Sequence, residues 1–179
     1  MPVVEPHAPP SSWRLSEEGR RQSILLADRL RGYGLDLVVT SEEPKAAETG
    51  KIVAERLDLG WTIASGLHEH DRTGAPFGTR EEFESAARDF FENPGTLVWG
   101  NETAEQTSAR FASGVRAALA GHSEDNVALV AHGTVITLFL KECSDIDTYG
   151  FWSRLGLPSF CVLSLPNFGL RDVIFDVVA

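Results

Sequence analysis

Cysteine is scarce in this chain of 179 residues, which contains only Cys143 and Cys161. Nothing in the spacing of these two residues suggests a zinc site or a redox pair. We therefore interpret both as buried thiols of a cytoplasmic protein.

Positive charge is also in short supply, because 16 Lys and Arg residues stand against 26 Asp and Glu residues and leave a net charge of -10. Non-specific binding of nucleic acid depends on Lys and Arg side chains that neutralise phosphates, so this balance argues against a nucleic-acid partner. A local basic pocket can still lie inside an acidic protein, and a small phosphorylated substrate is therefore not excluded.

Long apolar runs are missing as well. No segment approaches the length of a membrane span, and the proline-rich start lacks the charged-then-apolar layout of a signal peptide. We expect no membrane partner. The length and the 42% hydrophobic content suit one domain, which we place at residues 1–179.

Helical and strand signals alternate along the chain, which is typical of an α/β layered domain. The apolar run Val127–Ala131 predicts a central parallel strand covered on both faces. The turn signal at Pro166–Gly169 predicts that the last two strands form a hairpin. Thr103 and Gln106 predict a capping box at a helix start. Four residues at helical spacing are expected to face the core: Phe83, Ala87, Phe90 and Phe91.

Two segments share the layout of strand, short polar turn and helix. In the first, a strand leads into Ser41 and Lys45, and in the second a strand leads into His132, Gly133 and Thr134. Ligands of open α/β sheets bind beyond the carboxyl ends of the strands, where helix N-termini offer N–H groups to an anion. The pattern predicts a phosphate site. A structural histidine and a solvated lysine are the alternative interpretation.

The long loop over residues 66–79 concentrates ionisable side chains, and loops of this length are often functional. Glu69, if partly buried, is expected to have a raised pKa and to deliver a proton near neutral pH. His68, His70 and Asp71 leave a metal-dependent hydrolase as a remote alternative, although their spacing lacks the further ligands of familiar two-metal sites. A solvated loop with local salt bridges is the third interpretation.

Five segments resemble, in the same order, motifs of the histidine phosphatase (phosphoglycerate-mutase-like) superfamily. The family motifs are Leu-Thr/Ser-x-x-Gly-x-x-Gln, Ser-Ser-x-x-x-Arg-Ala-x-x-Thr, Leu-x-Glu, Gly-Glu-Ser/Thr with a later arginine, and a second histidine motif. The similar segments here are Leu15–Gln22, Thr40–Thr49, Leu67–Glu69, Gly100–Arg110 with one inserted residue, and Val130–Ile136. Each similarity is weak alone, but their shared order makes a strong match.

The resemblance implies a three-layer α/β/α sandwich with a mostly parallel central sheet. It also implies hydrolysis of a small phosphorylated metabolite through a phosphohistidine, without a metal or organic cofactor. We expect hydrolysis in preference to mutase activity, because nothing in the sequence specifically marks retention of a phosphoglycerate. His132 and Lys45 would stabilise the charge on the phosphoryl group, Glu69 would protonate the leaving oxygen, and residues 66–99 would cap the pocket. Lys45 stands where the family has an arginine, and a point charge orients phosphate less tightly than a bidentate fork.

The family's opening strand, which ends in Arg-His-Gly and carries the nucleophilic histidine, has no match in the sequence. His7 lacks the neighbouring arginine and glycine, and the prolines around it oppose a central strand. We expect residues 1–14 to be the loop that follows this motif, in a chain truncated upstream. The chain is then inactive, and an unpaired strand edge lowers its stability. The alternative is a degenerate, non-catalytic module that binds phosphate esters.

Overall fold

The structure is a computed structural model that describes residues 1–5, 7–75, 78–122 and 125–177. Its helices are α1 (Glu17–Leu30), α2 (Pro44–Leu57), α3 (Arg80–Glu92), α4 (Ala104–Leu119), α5 (Gly133–Cys143) and α6 (Thr148–Arg154). Its strands are β1 (Leu37–Thr40), β2 (Gly60–Ile63), β3 (Val127–Val130), β4 (Phe160–Ser164) and β5 (Gly169–Ile174). Short 3-10 helices lie at Pro10–Ser12 and Arg31–Tyr33.

The helices begin where the local sequence favours a start. The hydroxyl of Ser16 accepts the N–H of Gly19 at 3.0 Å and caps α1. Pro44 occupies the first turn of α2, where a missing N–H costs little. Thr103 and Gln106 form the predicted capping box of α4. A cap of this kind contributes about 1 kcal/mol to helix stability.

Three strands form a parallel sheet in the order β2-β1-β3, and β4 pairs with β5 as the predicted antiparallel hairpin. In the parallel sheet Thr40 lies opposite Ile63 on one side and Val130 on the other. The carboxyl ends of the three strands therefore lie together at one edge of the sheet.

Helices cover both faces of this sheet. Successive side chains of a strand point to opposite faces, and the two buried residues of β1 show this directly. Val38 packs with Leu26 and Val53 of α1 and α2, whereas Val39 packs with residues of α4 and α5 such as Phe111. Each such side chain contributes about 1.5–3 kcal/mol when it is fully buried. The mixed α/β class with helices on either side of a parallel sheet is confirmed.

The position of β3 differs from the prediction. Its four residues are half-buried, and in the described ranges no strand pairs with its side opposite β1. Coverage on both faces is observed, since Val127 and Leu129 pack on the cluster of one face and Ala128 and Val130 on that of the other. The predicted central place is wrong, because β1 is the central strand and β3 is an outer strand.

Two burial predictions also need correction. Phe83 is 36% exposed, because it packs on Trp99 and Trp152 at the surface side of α3. The other three aromatic and small residues of that helix face are buried as predicted: Ala87, Phe90 and Phe91. Cys143 and Cys161 are half-buried rather than buried, although burial still raises the pKa of the Cys161 thiol to about 11.

The predicted loop over residues 1–14 contains the 3-10 helix Pro10–Ser12 and an isolated bridge between Pro2 and Leu15. Within the described ranges no helix is long and apolar enough to cross a membrane. The single-domain organisation and the cap formed by residues 66–99 stay predictions.

Candidate functional site

The carboxyl ends of β1 and β3 bring the two strand-turn-helix segments together. The N–H of Ser41 donates to the carbonyl of Val130 at 2.9 Å and extends the pairing past the end of β1. As a result Nε2 of His132 lies 3.0 Å from Oγ of Ser41. Ser41 is fully buried and His132 is 8% exposed. The buried hydroxyl of Ser41 therefore orients the imidazole of His132 from the interior of the protein.

Glu43, which the sequence analysis missed, lies at the centre of the site and is 5% exposed. Its Oε2 forms an ion pair with the Lys45 ammonium. Its Oε1 accepts the backbone N–H of Glu69 at 2.8 Å and lies 3.8 Å from Nε2 of His132. The signal that could have revealed Glu43 is its place in the turn after β1, two positions before the lysine that was assigned to phosphate.

Lys45 is only 18% exposed. Besides its contact with Glu43, its Nζ donates to the carbonyl of Pro10 at 2.8 Å. The loop over residues 1–14 therefore helps to hold the ammonium in place beside the strand ends.

The carboxylate of Glu69 lies at the N-terminus of α5. It accepts the N–H of Thr134 at 3.1 Å, that of Val135 at 3.3 Å and that of His70 at 2.9 Å. A negative charge at a helix N-terminus is stabilising. The backbone N–H of Thr134, which was predicted to hold phosphate, is thus taken by a carboxylate of the chain itself.

The raised pKa expected for Glu69 is wrong. Burial acts to raise the pKa, but the electrostatic interactions with His132 and with the Arg72 guanidinium, together with the N–H donors of His70 and Thr134, outweigh it and hold the pKa of Glu69 below its ordinary value. Glu69 is therefore a carboxylate at neutral pH in this arrangement. The direction of this pKa shift depends on charged and N–H groups that are distant in the sequence and come together only in the folded structure.

The imidazole of His132 has a pKa below its ordinary value. Burial lowers it, and the nearby carboxylates of Glu69 and Glu43 offset this only in part. A neutral imidazole at this position has one nitrogen that donates and one that accepts a hydrogen bond.

Gly133 begins α5, and a Cβ at this position would lie 3.5 Å from a side-chain carbon of Leu155. That separation is an ordinary van der Waals contact, so no neighbour among the described residues requires a glycine here. A ligand that approaches Gly133 closely stays a prediction.

An open cavity of about 440 Å³ lies beside these residues. Glu43 and Glu69 form part of its wall, whereas Lys45 and His132 do not line it. The remaining lining residues are Pro10, Ser11, Glu42, Pro44, His68, His70, Asp71, Arg72, Thr73 and Glu102. Glu43 thus belongs to the cavity wall and also contacts Lys45, whereas the two groups assigned to phosphate form no part of that wall.

Arg110 of α4 fastens the loop that carries Glu69. Its Nε and Nη2 donate to the two oxygens of Glu102 at 2.8 Å each. Its guanidinium also donates to three backbone carbonyls of the loop, those of Gly66 at 3.1 Å, His68 at 2.9 Å and Glu69 at 3.2 Å. Arg110 was part of a quoted motif, but the sequence assigned it no role.

Arg72 is a second residue that sequence reasoning did not assign. Its guanidinium lies 5.3 Å from the ring centroids of both Phe83 and Trp99. Its Nε is buried without a hydrogen-bond acceptor in the described part of the chain. The aromatic rings hold this cation at the cavity wall, where its charge acts on Glu69.

The three residues of the metal-site alternative do not converge. Among the residues that the structure describes, no group of three His, Cys, Asp or Glu side chains is arranged to hold a metal ion. The side chains have separate partners: His68 with Glu42 at 3.4 Å, His70 with the carbonyl of Glu102 at 3.0 Å, and Asp71 with the amide of Asn101 at 3.0 Å.

The model of the histidine phosphatase superfamily (branch 1) matches residues 9–169. The chain belongs to the histidine phosphatase superfamily. A protein of Bacillus subtilis (strain 168) described as the uncharacterized phosphatase PhoE is 26% identical to it over 133 residues. That match covers 74% of this chain and 66% of PhoE, which is less than two thirds of the relative's length.

Solved structures of histidine phosphatases share the fold. Bacillus stearothermophilus YhfR is 20% identical, with a TM-score of 0.74 over 94% of this chain and 87% of that chain. Mycobacterial glucosyl-3-phosphoglycerate phosphatase in complex with inorganic phosphate is 23% identical, with a TM-score of 0.73 over 97% and 93% of the two chains. In this member of the superfamily, His7 is exposed and does not line the cavity.

Proposed function

We propose that the cavity binds the phosphate group of a small phosphomonoester, in keeping with the phosphatase family to which the chain belongs. The observation that supports this is the convergence of three groups on one carboxylate. The Lys45 ammonium and the N–H of Glu69 bind Glu43, and His132 lies 3.8 Å away. A lysine, a backbone N–H and a histidine at the carboxyl edge of a parallel sheet form an anion site.

Each site residue then has a distinct part in phosphate binding. Lys45 and His132 stabilise charge on the phosphoryl oxygens, and Ser41 positions the imidazole of His132. Preorganised charges of this kind supply most of the stabilisation in phosphoryl transfer. The backbone N–H groups of Gly133 and Thr134 contribute once the carboxylate of Glu69 moves.

Glu69 acts as a proton donor in this proposal only when phosphate is bound. A like charge beside a carboxylate raises its pKa. A phosphate dianion at Lys45 and His132 therefore opposes the lowering that the empty site imposes on Glu69. The acid is generated by the substrate rather than by burial alone.

Hydrolysis through a phosphohistidine needs a histidine nitrogen that faces phosphorus. The histidines that line the cavity are His68 and His70, and neither stands between the arginine and the glycine of the family's nucleophile motif. We therefore propose that this chain binds phosphomonoesters and turns them over slowly or not at all. Residues 66–99 cover the cavity in this proposal, since loop residues from His68 to Thr73 form much of its wall.

Two measurements on one preparation test the proposal. Calorimetric titration with inorganic phosphate measures binding, and release of p-nitrophenol from p-nitrophenyl phosphate measures turnover. We expect phosphate binding that His132→Ala weakens by about tenfold or more, because a charge-assisted hydrogen bond is lost. His122→Ala is the matched control, since His122 pairs with Asp125 at the surface and should leave binding unchanged.

The outcomes separate the parts of the proposal. A folded wild-type chain that does not bind phosphate would refute the site. Rapid turnover that His132→Ala abolishes would establish a phosphatase and overturn the non-catalytic part. Phosphate binding without turnover supports both parts.

A further inference from the structure

The anion site of this protein already contains an anion, and that anion belongs to the chain. The carboxylate of Glu43 forms the ion pair with Lys45, accepts the N–H of Glu69 at 2.8 Å and lies 3.8 Å from Nε2 of His132. These are the groups that a bound phosphate would use. Glu43 is 5% exposed, so its contacts are shielded from water and from screening by salt.

Glu43 also belongs to both the site and the cavity wall. It is one of the residues that line the cavity, whereas Lys45, with which its carboxylate forms the ion pair, and His132 are not. A ligand that occupies the cavity therefore lies against Glu43. Coulomb repulsion between this carboxylate and a phosphate opposes binding until the glutamate moves.

We propose that Glu43 is an internal ligand of the phosphate site, and that a phosphomonoester binds by displacing its carboxylate from Lys45 and the N–H of Glu69. The inference rests on the proposed function. Displacement exchanges one set of charge-assisted hydrogen bonds for another, so only a ligand with more charge and more acceptor oxygens than a carboxylate gains from it. Glu43 therefore selects phosphate dianions over carboxylate ligands.

Glu43→Gln is the informative variant. The amide keeps an oxygen that can accept the N–H of Glu69, which preserves the local fold, but it no longer carries the charge that competes for Lys45. We expect the affinity for inorganic phosphate to increase by about tenfold to a hundredfold, which corresponds to one charge-assisted hydrogen bond that phosphate no longer has to replace. We also expect that the wild-type site rejects acetate and that Glu43→Gln binds it measurably.

Two matched variants separate displacement from a general effect of charge. Glu55→Gln removes the same charge from an exposed position of α2, where Glu55 lies 3.8 Å from Lys51, and should leave phosphate affinity unchanged. Glu42→Gln removes the adjacent exposed carboxylate at the cavity mouth. It should raise affinity by less than about threefold, because charges exposed to solvent are screened.

A measurement on the wild-type chain tests displacement without any substitution. The backbone amide of Glu69 exchanges its acceptor from Glu43 to phosphate, so its ¹H–¹⁵N resonance should shift on saturation with inorganic phosphate. An amide that does not shift while phosphate binds would overturn the proposal even if every Glu43 variant failed to fold.

The results also distinguish this inference from the proposed function. If the wild-type chain binds phosphate and Glu43→Gln binds it no tighter, Glu43 is a structural support and the inference is wrong, while the phosphate site stands. If neither the wild-type chain nor Glu43→Gln binds phosphate, the proposed function and the inference both fail. Tighter binding by Glu43→Gln but not by Glu55→Gln supports both.

Discussion

Replacing Arg110 by alanine removes the contacts that fasten the Glu69 loop to α4. The guanidinium donates to both oxygens of Glu102 at 2.8 Å. It also donates to three loop carbonyls at distances from 2.9 to 3.2 Å. The side chains of Arg110 and Glu102 are 19% and 20% exposed, so this ion pair is mostly shielded from water.

The size of the effect follows from that burial. Removing one partner of a fully buried ion pair costs about 3–5 kcal/mol. Since about a fifth of each side chain reaches solvent here, we expect Arg110→Ala to lower the free energy of unfolding by about 2–4 kcal/mol. Arg110→Lys keeps the charge but cannot form the bidentate pair, and should cost about half as much.

Urea unfolding at pH 7 measures this loss as a shift of the midpoint at constant m-value. Arg116→Ala is the control on the same helix, because Arg116 lies 3.8 Å from Glu142 and the two side chains are 60% and 39% exposed. An exposed pair of this kind contributes less than about 1 kcal/mol. If Arg110→Ala destabilises the protein no more than Arg116→Ala, the assignment of Arg110 as the anchor of the loop is refuted.

Three further predictions concern backbone strain and pH. Gly100 and Gly74 both have positive φ, but only at Gly100 would a Cβ clash with a neighbour, the carbonyl oxygen of Asp71. Gly74→Ala should lower the free energy of unfolding in urea by about 1 kcal/mol, and Gly100→Ala by about 1–3 kcal/mol more. Equal losses for the two variants would contradict this. The folded state holds the pKa of Glu69 below the ordinary 4.5. The ionised carboxylate therefore stabilises the fold fully above pH 4.5, and this contribution is lost as the pH falls through the folded pKa. The free energy of unfolding of Glu69→Gln should depend less on pH in this acidic range than that of the wild-type chain. The pKa of His132 in the folded state lies below the ordinary 6.5. As the pH drops below 6.5 the unfolded chain therefore binds this proton before the folded chain does, and the free energy of unfolding falls. His132→Asn should remove this part of the decline, and an unchanged pH profile would show that the pKa of His132 is the same in the folded and unfolded states.

Much of the fold was predictable because its signals are local. The serine that caps α1, the capping box of Thr103 and Gln106, and the turn before β5 all act over two to four residues. The two strand-turn-helix segments could likewise be predicted from the local sequence. Their convergence followed from the rule that parallel strands end at one edge of a sheet.

Other features depended on which strand lies beside which. The apolar run of β3 predicts burial, but its place at the edge of the sheet is a property of the topology. In the same way Phe83 has the spacing of a core residue, yet it is 36% exposed, since α3 turns it toward Trp99 and Trp152. Periodicity identifies one face of an element without saying what covers that face.

The sequence by itself determined the α/β class, the family and the candidate residues Lys45, Glu69 and His132. Only the tertiary structure decided the partners of those residues and the direction in which the pKa values of Glu69 and His132 shift. Glu69 and Thr134 are 65 positions apart, yet the N–H of Thr134 holds the Glu69 carboxylate at 3.1 Å. Such contacts reverse the sign of the pKa shift that burial alone would cause. They also put Glu43 in the place that the sequence assigned to phosphate, because hydrogen bonds and charges act over distances in space and not along the chain.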